Sequence, residues 1–279
     1  MRLATLITVL ALGAGSTGCA AISGWTASSA PDPTPAAAQQ GERAEAPELP
    51  LALAQADDYV VRIVSDSVTC TGTLIAEDLV LTAHHCVSQR DISGEILETN
   101  VGAADLRVEL GGDYLPWGEV GVSAVMAPPC GHRAGVGDIA ILVLERKLIG
   151  MATLEPQLDL APALGDQVHT VGFGRCVMSS DGIRRKQRAG GRIGRVREHR
   201  FTLEASICPG DSGGPALNAE AELVGVVSQS VMDGSERTVN HSEFTRLDAF
   251  RSLFANARAV ADGASAAELP PVSGCPAKR

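Results

Sequence analysis

Aromatic residues are scarce in this 279-residue chain, where Phe, Trp and Tyr together make up 3% of the sequence. A surface that stacks nucleic-acid bases needs such side chains, so we do not expect a base-stacking platform. Cations are also in the minority, because 23 Lys and Arg residues stand against 33 Asp and Glu residues, for a formal net charge of −10. This balance argues against nucleic acid or an anionic lipid surface as the main partner.

The sequence also lacks any Cys-x-x-Cys pair, so a zinc cluster would be without its usual ligand spacing. The group formed by Cys70, His84, His85 and Cys86 contains metal-binding residue types. Neighbouring side chains do not easily converge on one ion, because successive residues of an extended segment point in opposite directions. We therefore expect no metal and no cofactor.

Residues 1–19 predict an export signal that ends in a lipidation site. The segment has one arginine, an apolar run over residues 3–12 that is too short for a stable membrane span, and small residues before Cys19. Its end, "STGC", resembles the lipobox of bacterial lipoproteins, although Ser16 stands where leucine is usual. Lipidation of Cys19 is favoured over ordinary signal cleavage nearby. We therefore expect an exported protein that is lipid-anchored to a bacterial membrane or secreted. The outer membrane is favoured because Ala20 is not the aspartate associated with inner-membrane retention.

Residues 20–56 are rich in Ala and Pro and include "PDPTP" and "APELP". This composition cannot bury a core and predicts a disordered tether. We expect a folded domain over residues 57–258 and a tail over residues 259–279, whose composition resembles the tether except at Cys275. Export also implies an oxidising compartment, so the six cysteines that follow Cys19 predict three disulfides. These six are Cys70, Cys86, Cys130, Cys176, Cys208 and Cys275.

The folded region reads as short apolar or alternating runs separated by turn residues, a pattern typical of β-strands. Six candidate strands lie between Val60 and Leu144, and six more lie between Gln167 and Phe244. No helix-length periodic segment separates them, so a parallel βαβ architecture is disfavoured. One helix is predicted from Leu247 onward, with four apolar residues on one face. These are Leu247, Phe250, Leu253 and Phe254.

The stretch "CPGDSGGP", residues 208–215, carries the clearest chemical signal. Glycines around Ser212 permit a tight backbone that exposes the hydroxyl and directs amide N–H groups toward one point, where an oxyanion could be held. A serine alone is a poor nucleophile, so it needs a general base and an acid that orients the base.

The same stretch satisfies G-x-S-x-G, the nucleophile elbow of α/β-hydrolases, and chain order decides against that reading. That fold places its acid and then its histidine after the serine. Downstream of Ser212 the only histidine is His241, and Asp248 follows it instead of preceding it. The crossover helices that such a parallel sheet requires are also missing from the pattern.

Upstream, "LTAHHC" and "GDIAILVL" supply a histidine and an aspartate in the order His, Asp, Ser. Together with "CTGTLIAEDLVLTAHHC", "VGFG", "CPGDSGGP", "LVGVVSQS" and "FTRLDAF", they resemble the landmarks of the trypsin/chymotrypsin-like serine proteases over nearly all of residues 59–258. The resemblance implies an all-β fold of two six-stranded antiparallel β-barrels with a C-terminal helix. It also implies hydrolysis of protein or peptide substrates through an acyl-enzyme.

Carried onto this chain, the resemblance makes His85 the general base, Asp138 its orienting acid and Ser212 the nucleophile. The backbone N–H groups of Gly210 and Ser212 would form the oxyanion hole. His84 stands where the family most often has alanine, and we expect it to be packed or solvated on the opposite face.

The resemblance also assigns a substrate pocket. Ser206, six residues before the nucleophile, would form its base, where trypsin-like enzymes that cleave after Arg or Lys carry an aspartate. Ser228 matches a serine that supports the catalytic aspartate and begins the strand beside the substrate. Gln229 and Ser230 replace the family's Trp-Gly, and Ser242 falls on a pocket wall. These residues predict a neutral, apolar or small P1 side chain, not a basic one.

In the family, Cys70 and Cys86 match a disulfide that brackets the histidine loop. The other four cysteines allow three pairings. Cys176–Cys208 is favoured because the loop after "VGFG" should lie beside the serine loop, which leaves Cys130–Cys275.

Asp211 matches an aspartate that forms a buried ion pair in the family, usually with a new N-terminus made by zymogen cleavage. No "IVGG"-like segment lies between Gly41 and Val60, so we expect another cation, such as an arginine, and hypothesise a chain that is active as first folded. The basic run over residues 184–200 is interpreted as a solvated loop and the outward face of a strand, in preference to a binding patch.

The sequence therefore predicts a serine endopeptidase. The alternative is a catalytically inactive binding or adhesion module on the same fold, which the altered pocket residues Gln229 and Ser230 keep open. The residues do not specify an oligomeric state, and a monomer is favoured.

Overall fold

The computed structural model describes residues 56–66, 68–112, 115–132, 136–176, 183–230 and 240–275. The predicted signal, Cys19 and nearly all of the predicted tether lie outside the described residues, so the division at residues 19, 56 and 258 stays a prediction. Among the described residues, no helix has the length and apolar character needed to span a bilayer.

Short strands dominate the described chain, as the alternating apolar runs predict. They are β1 (Val60–Val64), β2 (Thr69–Ala76), β3 (Leu79–Thr82), β4 (Ser88–Arg90), β5 (Ile96–Asn100), β6 (Arg107–Leu110), β7 (Gly118–Met126), β8 (Ala140–Leu144), β9 (Gln167–Gly172), β10 (Lys186–Val196), β11 (Arg200–Ala205), β12 (Pro215–Leu217), β13 (Leu223–Ser230) and β14 (Asn240–Arg246).

Two closed antiparallel barrels contain twelve of these strands. The first has the order β1-β2-β3-β8-β7-β6 and the second the order β10-β11-β14-β13-β12-β9. Closure leaves neither sheet with an open edge. The all-β fold of two six-stranded barrels is therefore confirmed. The small β4–β5 sheet was not predicted, since its residues are mostly exposed or half-buried and show no apolar alternation.

Each barrel is filled by the inward face of its strands. In the first, β8 is buried along its whole length because one face looks into the barrel and the C-terminal helix covers the other. In the second, Phe201 and Phe244 are cross-strand partners on β11 and β14, and their rings stack with centroids 5.2 Å apart. Two of the five phenylalanines of the chain therefore form a single contact in the core of the second barrel.

The C-terminal helix α1 spans Arg251–Ala261 and is preceded by a 3₁₀ turn at Asp248–Phe250. The four residues predicted to share an apolar face are all buried, and the helix packs against β3, β7 and β8. Arg258 on α1 holds Asp78 through two hydrogen bonds of 2.7 and 2.8 Å. This paired contact fixes the helix on the first barrel.

The structure joins Cys70 to Cys86, Cys130 to Cys275, and Cys176 to Cys208. This is the pairing that the sequence favoured.

Strand β10 begins at Lys186 and therefore carries much of the basic run. The interpretation of that run as solvated is wrong for Arg185 and Arg188, whose side chains are each only 4% exposed. Arg185 is neutralised by the partly buried Asp58 and Arg188 by the buried Asp211, and a sequence pattern reveals neither partner.

Candidate active site

His85 lies in the cleft-forming turn that follows β3. Residues His84–Cys86 form one 3₁₀ turn, and the Cys70–Cys86 disulfide ties this turn to β2. The imidazole of His85 is 15% exposed, whereas His84 is buried. The two histidines therefore face different surroundings, as expected from their adjacency.

Asp138 sits two residues before β8 and holds His85 at two atoms. Its Oδ1 accepts the backbone N–H of His85 at 3.0 Å, and its Oδ2 lies 2.9 Å from His85 Nδ1. The hydroxyl of Ser228 on β13 donates to the same Oδ2, and Thr245 Oγ1 donates to the Asp138 carbonyl at 2.9 Å. These contacts place the proton of His85 on Nδ1 and leave Nε2 as the basic nitrogen.

The carboxylate of Asp138 stays ionised to low pH. Burial by itself raises its pKa, but the charge of His85 and hydrogen bonds from His85 and Ser228 outweigh burial and lower the pKa from 3.8 to about 2. Asp138 is therefore an anion under all ordinary conditions and can stabilise a protonated His85.

The loop that carries Ser212 depends on two glycines with positive φ. Gly210 has φ +101° and Gly213 has φ +83°. A Cβ atom on Gly213 would lie 2.1 Å from Thr82 Oγ1, so no other residue fits there without displacement. Backbone geometry thus requires the glycines at positions 210 and 213 of "GDSGG".

Thr71 on β2 clamps this loop from the first barrel. Its backbone N–H donates to the Ser212 carbonyl at 2.9 Å, and its Oγ1 donates to the Gly210 carbonyl at 2.6 Å. Among the described residues, none accepts a hydrogen bond from Gly210 N or Ser212 N, whereas the N–H groups of Asp211, Gly213 and Gly214 each donate to a carbonyl.

The hydroxyl of Ser212 donates to the Ser228 carbonyl at 3.5 Å. It makes no hydrogen bond to His85, whose Nε2 lies 3.8 Å from Cys86 Sγ in the bracketing disulfide. The structure therefore joins His85 to Asp138 and brings Ser212 to the adjoining strand β13, but does not join Ser212 to His85. Catalytic hydrogen bonds are often formed only when substrate is bound.

His84 is packed away from this site. Its Nε2 lies 2.8 Å from Asn100 Oδ1, and its ring meets His132 edge to face with centroids 5.6 Å apart. Burial lowers the pKa of His84, so the ring is neutral near physiological pH. Of the two surroundings expected for His84, packed or solvated, the structure shows the packed one.

Ligand atoms of Cys70, His85 and Cys86 lie within 4.8 Å of one another, a spacing that could suit a metal ion. Both sulfur atoms belong to one disulfide, so neither is a thiolate that could bind zinc. This cluster does not fit a metal.

The predicted pocket residues come together at the paired ends of β13 and β14. Ser230 and Ser242 are cross-strand partners whose hydroxyls lie 2.9 Å apart, and Ser242 also donates to the Ala205 carbonyl at 3.3 Å. Ser206 follows Ala205 and is buried. Gln229 lines a shallow cavity of about 200 Å³ with Ser230, His241 and Glu243. Its amide donates to Glu243 at 3.2 Å.

Asp211, next to the candidate nucleophile, is fully buried, accepts two backbone hydrogen bonds and forms an ion pair with Arg188. Gly174 N and Cys208 N donate to it at 2.8 and 2.9 Å, and Arg188 Nε lies 2.8 Å from its Oδ2. Burial raises the pKa of Asp211, while the charge of Arg188 and the two backbone N–H groups oppose that rise. Arg188 is the arginine that the sequence could not identify.

Sequence reasoning missed three residues that hold the site: Thr71, Gly174 and Arg188. For one of them, Gly174, the sequence contains a signal, because this residue is the second glycine of "VGFG". A Cβ atom at this position would lie 2.5 Å from the carboxyl carbon of Asp211. The second glycine of "VGFG" is therefore explained by close approach of that carboxylate. Thr71 contacts Gly210, which lies 139 residues later in the chain, and Arg188 contacts Asp211, which lies 23 residues later. No local sequence pattern indicates contacts over such separations.

The chain matches the model of the trypsin family over residues 52–253. It is 28% identical to trypsin iota of Drosophila melanogaster over 178 residues, which cover 57% of this chain and 67% of that protein. It is 27% identical to granzyme B(G,H) of Mus musculus over 207 residues, or 66% of this chain and 77% of that protein.

Among solved structures, a Glu endopeptidase in complex with MPD superposes with a TM-score of 0.58 at 20% identity, over 75% of this chain and 94% of that one. Mouse neuropsin, a serine protease, superposes with a TM-score of 0.53 at 19% identity, over 74% and 95% of the two chains. These likenesses show the fold. Together with the family match over most of its length, they lead to one conclusion: the chain belongs to the trypsin family of serine proteases.

Proposed function

We propose that the chain is a serine endopeptidase that hydrolyses peptide bonds with His85, Asp138 and Ser212. The observation that carries the proposal is the double contact of Asp138 with the backbone N–H and Nδ1 of His85. A carboxylate held in this way fixes the tautomer in which Nε2 can accept a proton, and a histidine that is only structural does not need that arrangement.

In the proposed reaction each of these residues has one role. Nε2 of His85 takes the proton of Ser212 as Oγ bonds to the scissile carbonyl carbon, and the carbonyl oxygen becomes an oxyanion. The N–H groups of Gly210 and Ser212 stabilise that oxyanion. His85 then donates its proton to the leaving amine, which gives an acyl-enzyme, and water repeats the sequence to release the acid.

Hydrolysis of a fluorogenic peptide library tests the proposal. We expect cleavage by the wild-type protein and a loss of about four orders of magnitude or more in kcat for Ser212→Ala. Ser123→Ala is the matched control, because Ser123 lies on β7 and donates only to β8 carbonyls. Equal activity in wild type and Ser212→Ala would refute the proposal.

The same library tests the proposed preference for a neutral P1 residue. Ser206, at the proposed base of the substrate pocket, carries no charge. The paired hydroxyls of Ser230 and Ser242 occupy space between the two proposed walls of that pocket. We therefore expect cleavage after small or apolar residues. A strong preference for Arg or Lys would contradict this specificity without affecting the proposed chemistry.

The second candidate is an inactive binding module on the same fold. The observation that favours it is the absence of a hydrogen bond between Ser212 and His85, both of which the structure describes. Ligand binding without turnover, unchanged by Ser212→Ala, is the result that this candidate predicts.

We also propose that the protein is exported and that Cys19 is lipidated, with residues 20–56 as a tether. Three disulfides support a location in an oxidising compartment. Incorporation of an alkyne fatty acid that is lost in Cys19→Ala tests the anchor. Incorporation that persists in Cys19→Ala would exclude this residue as the site.

A further inference from the structure

The ion pair between Arg188 and Asp211 lies directly beneath the loop that carries Ser212. The two side chains are 4% and 0% exposed, and Arg188 Nε lies 2.8 Å from Asp211 Oδ2. Arg188 also donates through Nη2 to the Gly174 carbonyl, while Gly174 N donates to Asp211 Oδ1 at 2.8 Å. The cation, the carboxylate and the glycine backbone therefore form one closed network with no solvent access.

We propose that Arg188 is a positioning residue that holds the Ser212 loop and its oxyanion hole in the uncleaved chain. The protein is then active without the creation of a new N-terminus. The inference rests on the proposed peptidase function, because it concerns the same loop. It goes beyond that function because it identifies Arg188 as the cation that pairs with Asp211, and because it states that activity does not depend on cleavage of the chain.

The contacts of Asp211 link it directly to the oxyanion hole. Asp211 lies between Gly210 and Ser212, whose N–H groups are the proposed oxyanion donors, and its Oδ2 accepts Cys208 N at 2.9 Å. If the cation were removed, a buried carboxylate would be left with backbone partners only. Such a group turns toward solvent or takes up a proton, and either change displaces the neighbouring N–H groups.

The described entry of the chain into the first barrel is tied to the same basic segment. The nitrogen of Val60 is an amide that donates to the Asp57 carbonyl at 2.8 Å, in the turn that leads into β1. Arg185, three residues before Arg188, holds this turn through Asp58 Oδ1 at 2.9 Å and the Val60 carbonyl at 3.2 Å. One basic segment therefore fixes both the entry of the chain and the nucleophile loop.

The first experiment measures which form of the protein carries an active serine. The full chain is labelled with a fluorophosphonate, and the labelled species is weighed by intact-mass spectrometry. We expect the label on molecules in which residues 20–60 form one unbroken chain. Label confined to molecules with a new N-terminus between residues 21 and 60 would overturn the inference and leave the peptidase proposal standing. No label on either form would instead refute the peptidase proposal.

The second experiment tests Arg188 by substitution. In Arg188→Met we expect at least a tenfold loss of kcat per labelled site with a smaller change in KM, since the oxyanion is stabilised only in the transition state. Arg188→Lys, which keeps the charge, should recover part of that loss. Arg195→Met is the matched control, because Arg195 is an exposed arginine of the same strand.

Arg188→Met leaves Asp211 buried without its cation and so also lowers the yield of folded protein. The double variant Arg188→Met/Asp211→Asn is therefore included. Removing both charges leaves no unpaired buried ion. We expect the double variant to melt at a higher temperature than Arg188→Met while kcat per site stays below that of the wild type. Wild-type kcat per site in Arg188→Met or in the double variant would overturn the positioning role.

Discussion

At the scale of single residues, the two adjacent histidines of "LTAHHC" have opposite surroundings. His85 is partly exposed and held by the ionised Asp138, whereas His84 is buried, neutral and bound to Asn100. Both differences follow from the positions of the two residues in one short turn, which the Cys70–Cys86 disulfide holds against β2. Substitution of His85 should therefore affect catalysis, whereas substitution of His84 should affect the stability of the fold.

We expect His85→Ala to abolish hydrolysis while the protein stays folded. His84→Ala should retain most of kcat but lower the free energy of unfolding by about 1–3 kcal/mol, because a buried ring and its hydrogen bond are lost. Peptide hydrolysis and urea unfolding measure the two effects. Full activity in both variants would show that the assignment of the general base is wrong.

Asp138 gives a prediction about pH. Its pKa is lowered to about 2 in the folded chain, so its ionised form stabilises the fold above the pKa of the unfolded chain, and this contribution is lost as the pH falls from about 4 toward 2. Asp138→Asn lacks this contribution. The difference in unfolding free energy between wild type and variant should be roughly 2 kcal/mol near neutral pH and shrink below pH 4. A difference that is constant from pH 6 to pH 2.5 in urea titrations would contradict the proposed charge state.

At the scale of elements, the ends of β13 and β14 carry two proposed walls of the substrate pocket. Their ends pair Ser230 with Ser242, and the hydroxyl contact of 2.9 Å joins the two proposed walls of the substrate pocket. Both side chains can be removed without altering the backbone pairing, because the ladder uses main-chain atoms.

We expect Ser230→Gly/Ser242→Gly to raise kcat/KM for peptides with Leu or Phe at P1 relative to those with Ala, by about tenfold or more. The reason is the added pocket volume, since a few buried methylenes are worth roughly 1–3 kcal/mol in such a pocket. A panel of matched peptides measures the ratio. Gln229→Ala, beside the same wall, is the control that should leave the ratio nearly unchanged, and an unaltered ratio in the double variant would show that the two serines do not limit P1 size.

The elements also show what the sequence could and could not predict. Strands β1 and β8 were predictable because apolar runs of this length next to turn residues have few alternatives to burial in a sheet. The β4–β5 sheet was not, because its stability comes from backbone pairing of polar residues. Arg188 lies in a run of like charges, and only the approach of Asp211 from another loop distinguishes it from its exposed neighbours.

At the scale of the whole molecule, the disulfides tie distant segments to the barrels. Cys130–Cys275 joins positions 145 residues apart and attaches the C-terminal tail to the first barrel, while Cys176–Cys208 lies beside the Ser212 loop. Because Cys208 N donates to Asp211, the second bond supports the site as well as the fold.

We expect Cys130→Ser/Cys275→Ser to lower the free energy of unfolding by about 2–5 kcal/mol, since the bond closes a long loop, while kcat per labelled site changes little. Cys176→Ser/Cys208→Ser should lower kcat per site as well. Thermal unfolding combined with active-site titration separates the two effects. Equal loss of kcat in both double variants would contradict the different roles assigned to these bonds.

The proposed mechanism requires Ser212 to be a nucleophile activated by His85. Labelling by a fluorophosphonate, followed by peptide mapping of the adduct, is the decisive measurement, because the reagent forms its bond only with an activated serine. We expect rapid labelling at Ser212, none in Ser212→Ala and strongly slowed labelling in His85→Ala. Folded wild-type protein that is not labelled, or a label on any other serine, would contradict it.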